Sequence, residues 1–320
     1  MTQTNNLPEP VGDANLAPST PGHSAERLIT LYLRTLTSPQ TIKTYNTELR
    51  MFVSYLEEGM GKRLEGLTAE DISLYREHLI KTYSAATAAK KLAVLRRFLI
   101  FTYMAGATAV NPEALRFFAK SPRVRHDPSY NVLTEDELSR MLSAARMTNY
   151  RDYVLLALMA GCGLREAEVV EIRIGDFREA GNDQVLLRIR GKGDKVRNVP
   201  ISPELWQLVQ KFVLLSGCSF NSHLDVRKPL FASRVGKDKT LTTRSVQNIV
   251  KKYVRAASIT KAISPHSIRH TVGTNMAVNE APLLVIQQFL GHSDPKTTLR
   301  YIRRAEELAT RAYQYNTLPL

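Results

Sequence analysis

Apolar residues recur every three or four positions through most of this chain, which is the period of a helix and not of a strand. After Ser38-Pro39, the residues Ile42, Tyr45, Leu49, Phe52, Val53 and Leu56 form one stripe that Gly59 and Gly61 interrupt. Thr68 with Asp71 reads as a capping box ahead of Ile72, Tyr75 and Leu79. Ser84 opens a longer helix with Leu92, Leu95, Phe98 and Leu99 inward. A second capping box, Thr134 with Glu137, precedes a mostly apolar helix that ends in Gly161-Cys162-Gly163. The period changes once: VLLRIR and KVRNVPI, rich in β-branched residues, flank the turn Gly191-Lys192-Gly193-Asp194 and predict a hairpin over 185–201. Beyond it, ELWQLVQKFVLL reads as a core helix containing Trp206, residues 221–239 as a polar loop, and Thr243 as the cap of a further helix. The expected fold is therefore mainly α with a small β-sheet.

Breaks in this pattern set the domain organisation. Residues 1–23, rich in Pro, Asn, Thr and Ser, predict a disordered lead-in, and 24–118 a small all-helical domain. Residues 119–132 hold two prolines, several basic residues and no periodicity, as a linker would, and 133–320 form the second domain. A length of 320 residues allows a core in each.

Charge sharpens the picture. A net charge of +14 points to a polyanionic partner, nucleic acid before an anionic membrane surface. No apolar run has transmembrane length and no secretory pattern opens the chain. Cys162 and Cys218 are too few for a disulfide framework, so a cytoplasmic protein is expected, associated with the nucleoid when on DNA. Lys90, Lys91, Arg96 and Arg97 lie on one helix; a solvated basic face explains them as well as a DNA-facing one until the net charge is considered. Arg244, with Lys251, Lys252 and Arg255, marks a second basic face. Contacts of this kind reach phosphates, which position a duplex more than they specify it.

The chemistry concentrates between Ser264 and Tyr301. Ser264-Pro265 starts a helix that carries His266 and Arg269 on one face. Pro282 opens a second helix closed by Gly291, with His292 at the turn. Asp294-Pro295 opens a third that carries Tyr301 about two turns in. Earlier in the chain, Arg165 follows a Gly-Cys-Gly turn at a helix start, where backbone donors favour an anion. Taken singly, each of these has an ordinary reading as a cap, a packing residue or a surface charge. Together, two histidines, Arg269 and a phenol make an anion site with a nucleophile beside it, to which Arg165 by itself adds only weakly because Gly-x-Gly before a helix is common. Lys192 at the hairpin tip would join only if the hairpin leans over that site, where it could protonate a leaving oxygen.

GLREAEV around Arg165, the GKGDKVRNVP hairpin, PHSIRH and LGHSDPKTTLRYI occur here in an order that strongly resembles the tyrosine recombinases, or phage-integrase family, in the style of their Xer-type members. The resemblance covers roughly 133–307 and implies a tyrosine-recombinase catalytic domain behind an N-terminal core-binding domain. By position it implies that Tyr301 is the nucleophile and that Arg165 and Arg269 clamp the scissile phosphate. Lys192 would be the general acid, with Lys195 close by, and His266 and His292 would assist. Glu168 matches a supportive acidic position. It further implies double-stranded DNA as substrate, no metal or other cofactor, and a homo- or hetero-tetramer on two DNA sites that exchanges strands through a Holliday junction. The tail after Tyr301 would dock on a neighbouring subunit, and accessory DNA-binding proteins are compatible with this scheme. A type IB topoisomerase-like nicking-closing enzyme needs nearly the same residues. A non-catalytic DNA-binding regulator would have no use for Tyr301.

Overall fold

The computed structural model of the chain describes residues 24–123, 131–181, 184–191, 195–233 and 239–314. The lead-in expected over 1–23, much of the expected linker and the hairpin tip with Lys192 lie outside these residues. The chain divides into two compact units between residues 126 and 127.

The first unit is helical throughout: α1 (Ala25–Arg34), α2 (Pro39–Ser54), α3 (Ala69–Thr82), α4 (Ala85–Met104) and α5 (Leu115–Phe118). Ser38, Thr68 and Ser84 each accept a backbone N–H as N-caps, and Thr68 with Asp71 closes the expected capping box. α2 does not stop cleanly at the glycines; it widens into a π-helical turn over Tyr55–Gly59 before Gly61 turns the chain at φ +62°. Leu28, Phe52, Ile72, Leu92 and Phe98 fill the core. Because α1, α2 and α3 all pack on α4, that helix has only a narrow outward face. Lys90 and Arg97 are on it, Arg96 is half-buried, and Lys91 is not part of it. The expectation that Lys91 faces DNA is corrected by its burial: its ammonium pairs with Glu48 and lies 4.6 Å from the centre of the Tyr83 ring. Arg96 and Arg97 donate to the hydroxyls of Ser121 and Tyr45 at 3.2 and 3.0 Å.

In the second unit, α6 (Glu135–Thr148) and α7 (Tyr150–Cys162) pack as a helical hairpin, followed by the short α8 (Glu166–Glu171). An antiparallel sheet comes next, β1 (Phe177–Glu179), β2 (Val185–Arg190) and β3 (Val196–Ile201), in the order β1-β2-β3. Leu187 of β2 is flanked by Phe177 and Val199, and alternate residues of β2 are buried. The expected hairpin is thus two of three strands. α9 (Pro203–Leu215), α10 (Thr243–Ala256), α11 (Pro265–Val278), α12 (Leu283–Leu290) and α13 (Pro295–Gln314) complete the unit. α10 is capped by Thr242, one residue before the expected Thr243. Met141, Leu155, Leu158, Leu187, Val209, Phe231, Val250 and Ile268 make one core that joins helices and sheet. Trp206 is only half-buried, with its ring against Phe177 and Phe220. Tyr253 runs through the core to donate to Asp152 at 3.0 Å. This core fixes α11 against α7 and α13, and with them the side chains considered next.

Candidate active site

The site begins at the end of α7. Gly163 adopts φ +59°, a left-handed conformation that favours glycine, and a Cβ there would stand 2.5 Å from Leu290. The close approach brings the start of α8 to the end of α12. Arg165 caps α8, its own N–H donating to Glu168 at 2.9 Å and its guanidinium donating to Glu168 at 2.6 Å and to the Gly291 carbonyl at 3.3 Å.

Glu168 is the centre of a cationic shell. Arg197 of β3 grips its two oxygens at 2.8 and 2.9 Å, and Arg269 stands 3.8 Å away. Burial alone would raise the Glu168 pKa, but the hydrogen bonds and charge of Arg197, with those of Arg165, hold it at about 2. Arg269 has no exposed surface and donates to the carbonyls of Gly163, at 2.6 Å, and of Leu290. Its Nε–H is buried with no acceptor among the described residues. Burial first, and the nearby Arg165 second, lower its pKa to about 10, so it remains a cation at neutral pH.

Two imidazoles flank the phenol, and a third packs on one of them. His266, in the first turn of α11, meets His270 edge to face at 4.2 Å between ring centres. His270 Nδ1 is 3.0 Å from the Tyr301 hydroxyl. The His292 ring lies nearly parallel to Tyr301, 5.8 Å between centres, and its Nδ1 is 2.9 Å from the Thr298 hydroxyl. Burial is the first cause, and neighbouring cationic and imidazole groups the next, of pKa values pushed down to about 3 for His270 and His292. His266 is also lowered, by burial and then by Arg269 and Arg165. All three rings are neutral at neutral pH. Tyr301 itself is 1% exposed and lies flat over Gly273, where a Cβ would come within 2.7 to 2.9 Å of three ring carbons. Only glycine at that position lets α13 seat this close to α11.

Arg165 separates two hollows. One of about 570 Å³ is lined by Arg165, Glu166, Gln247, Lys251, Ser264 and His266. The other, about 510 Å³, is lined by Arg165, Lys195, Arg197, Gln287, Gly291 and His292 among others. Of the residues expected from the sequence, Arg165, His266, Arg269, His292 and Tyr301 gather in this one region. Lys192 lies outside the described residues, whereas Lys195 lines the second hollow. Arg244 is exposed at the start of α10. Sequence reading left out Arg197, His270 and Thr298. The spacing held a signal for two of them: His270 is four residues after His266, and Thr298 three before Tyr301, each sharing a helix face with its partner. Arg197 meets Glu168 across 29 positions and had none.

Residues 131–307 match the model of the phage integrase family, and residues 28–106 match the phage integrase N-terminal SAM-like domain. The chain belongs to the phage integrase family. This integrase-family chain is 30% identical over 271 residues to the tyrosine recombinase XerC of Pelobacter propionicus, covering 82% of this chain and 84% of that one. With the tyrosine recombinase XerD of Lacticaseibacillus casei it shares 29% identity over 274 residues, 84% of this chain and 89% of the relative. Its fold is that of the XerH site-specific recombinase solved in a pre-cleavage complex with its difH substrate, at a TM-score of 0.66 and 21% identity, over 89% of this chain and 84% of that one. Among the described residues of this integrase-family chain, no helix is long and apolar enough to cross a membrane.

Proposed function

We propose that this protein is a site-specific tyrosine recombinase that cuts and rejoins double-stranded DNA through a 3′-phosphotyrosyl intermediate. The observation that carries the reading is one phenol, Tyr301, set among His266, His270, His292 and a fully buried Arg269, with Arg165 beside them. In the cleavage step the Tyr301 oxygen bonds to phosphorus while the bond from phosphorus to the 5′ oxygen breaks. The phenol proton passes to an imidazole, and the departing 5′ oxygen takes a proton from a hairpin lysine, Lys192 or Lys195. Attack by a 5′-hydroxyl reverses the step, so the bond energy is conserved and no further cofactor is called for.

The burden on the protein is electrostatic. A phosphodiester repels nucleophiles through its own charge, and preorganised cations in a water-poor site offset that charge and what develops in the transition state. Arg165 and Arg269 are held for this by Glu168 and by backbone carbonyls instead of being left to reorganise. The Nε–H of Arg269 is buried without an acceptor among the described residues, which costs about 1–3 kcal/mol. Neutral histidines suit proton transfer, since they can accept a phenolic proton without first losing one. In the conformation described, the Tyr301 hydroxyl lies 3.0 Å from Nδ1 of His270. Lys90, Arg96, Arg97 and Arg244 would contact phosphates along the duplex. A tetramer on two DNA sites and a Holliday-junction intermediate complete the proposal, supported by the relatedness to tyrosine recombinases.

The test is a nicked DNA substrate that traps the covalent intermediate. The wild-type protein is expected to form a protein–DNA adduct, and Tyr301→Phe to bind the same DNA without forming it. An adduct with the Phe variant would remove Tyr301 from the role.

A further inference from the structure

Five helical threonines of this protein share one habit. Thr30, Thr44, Thr47, Thr148 and Thr271 each donate their hydroxyl to the carbonyl four residues earlier. Thr298 does not. It is fully buried on α13, and its hydroxyl instead meets Nδ1 of His292 at 2.9 Å. A neutral imidazole carries one proton on one of its two nitrogens, and the partner of the first nitrogen decides where that proton sits. A buried hydroxyl whose one acceptor is Nδ1 donates to it, which leaves the ring proton on Nε2. His292 lines the same hollow as Arg165, so an Nε2–H there is a donor available to an anion bound beside the guanidinium. Thr298 is also one helical turn before Tyr301, so seating the nucleophile's helix and orienting this donor are a single event.

We propose that Thr298 is a positioning residue for cleavage: its hydroxyl fixes the tautomer and the orientation of His292 so that Nε2–H is presented to the scissile phosphate. This rests on the reading of the hollow as the cleavage site. Thr298 acts only through His292, and this separates it from a residue that merely packs.

The experiment is a double-mutant cycle on single-turnover adduct formation with a nicked DNA substrate, with DNA affinity measured alongside. Thr298→Val keeps the shape and removes the hydroxyl; it is expected to slow adduct formation about tenfold, the usual worth of one oriented hydrogen bond, at unchanged affinity. Thr298→Ser is expected to restore the wild-type rate. In the His292→Ala background the Val substitution is expected to have no further effect, because the group it positions is gone. A Val variant as fast as wild type, a Ser variant as slow as Val, or Val and Ala effects that multiply would each overturn the proposal. Nitrogen NMR of the wild-type imidazoles gives a check that needs no variant to fold: His292 is expected as the Nε2–H tautomer, and the Nδ1–H form would refute the inference. Absence of any adduct with the wild-type protein would instead defeat the functional reading itself.

Discussion

Glu168→Gln is the substitution whose consequence the geometry specifies best. The carboxylate is almost wholly buried and accepts from the Arg165 backbone, the Arg165 guanidinium and both ends of the Arg197 fork, with Arg269 close behind. A glutamine keeps the shape but offers one acceptor oxygen and turns an NH2 group toward guanidinium donors. The loss is sized in two ways. A carboxyl carried from its ordinary 4.5 to about 2 gains about 3 kcal/mol of interaction in its charged form. Removing one partner of a buried ion pair costs about 3–5 kcal/mol in comparable cases. We expect Glu168→Gln to destabilise the second unit by about 3 kcal/mol near pH 7, a fall in Tm of roughly 6–12 °C for a unit of this size. The pH dependence has a definite sign. The folded-state pKa is depressed, so the stability Glu168 contributes is complete above its unfolded value and is lost as pH falls through that value toward about 2. The gap in Tm between wild type and variant should therefore narrow progressively below about pH 4.5. Calorimetry of both proteins across that range is the assay. A cost under about 1 kcal/mol at neutral pH, or a gap that does not change with acid, would refute the account of Glu168 as the hub of the arginines.

The imidazoles make a separate prediction in a milder range. His270 and His292 stay neutral in the folded protein down to about pH 3, whereas unfolded histidines take up protons near pH 6.5. Stability should be complete above about pH 6.5 and fall as pH drops below it, with unfolding near pH 5 taking up close to two extra protons. A Tm that stays flat between these pH values would contradict it. In the first unit, Lys91→Ala leaves Glu48 without its buried partner and should cost about 2–4 kcal/mol, while Lys90→Ala on the exposed face should stay within about 0.5 kcal/mol. DNA binding should separate the two in the opposite sense: Lys90→Ala is expected to lower the salt slope of affinity by up to about one unit and Lys91→Ala to leave it unchanged. Titrations at several salt concentrations decide between them.

The local code of this chain was legible without coordinates. Hydroxyl or carboxylate caps and prolines at Ser38-Pro39, Ser264-Pro265 and Asp294-Pro295 start helices because they satisfy or omit backbone donors within a few residues, so they read the same in any fold. The apolar stripes gave the helical class, and the motif order gave the family. What the sequence could not decide was set by contacts across long stretches of chain. Strand β1 is three residues long, too short to show a period, and exists because β2 pairs with it. Lys91 looked like its neighbour Lys90 until the packing of α4 turned it toward Glu48. Arg197 reached Glu168 of α8 from strand β3, Gly273 made room for a ring 28 positions away in the numbering, and Arg269 lost all contact with water. Sequence fixes what each residue can do, because capping and periodicity are short-range physics. Tertiary structure decides which do it together, because burial and charge coupling depend on separations in space that no spacing along the chain records.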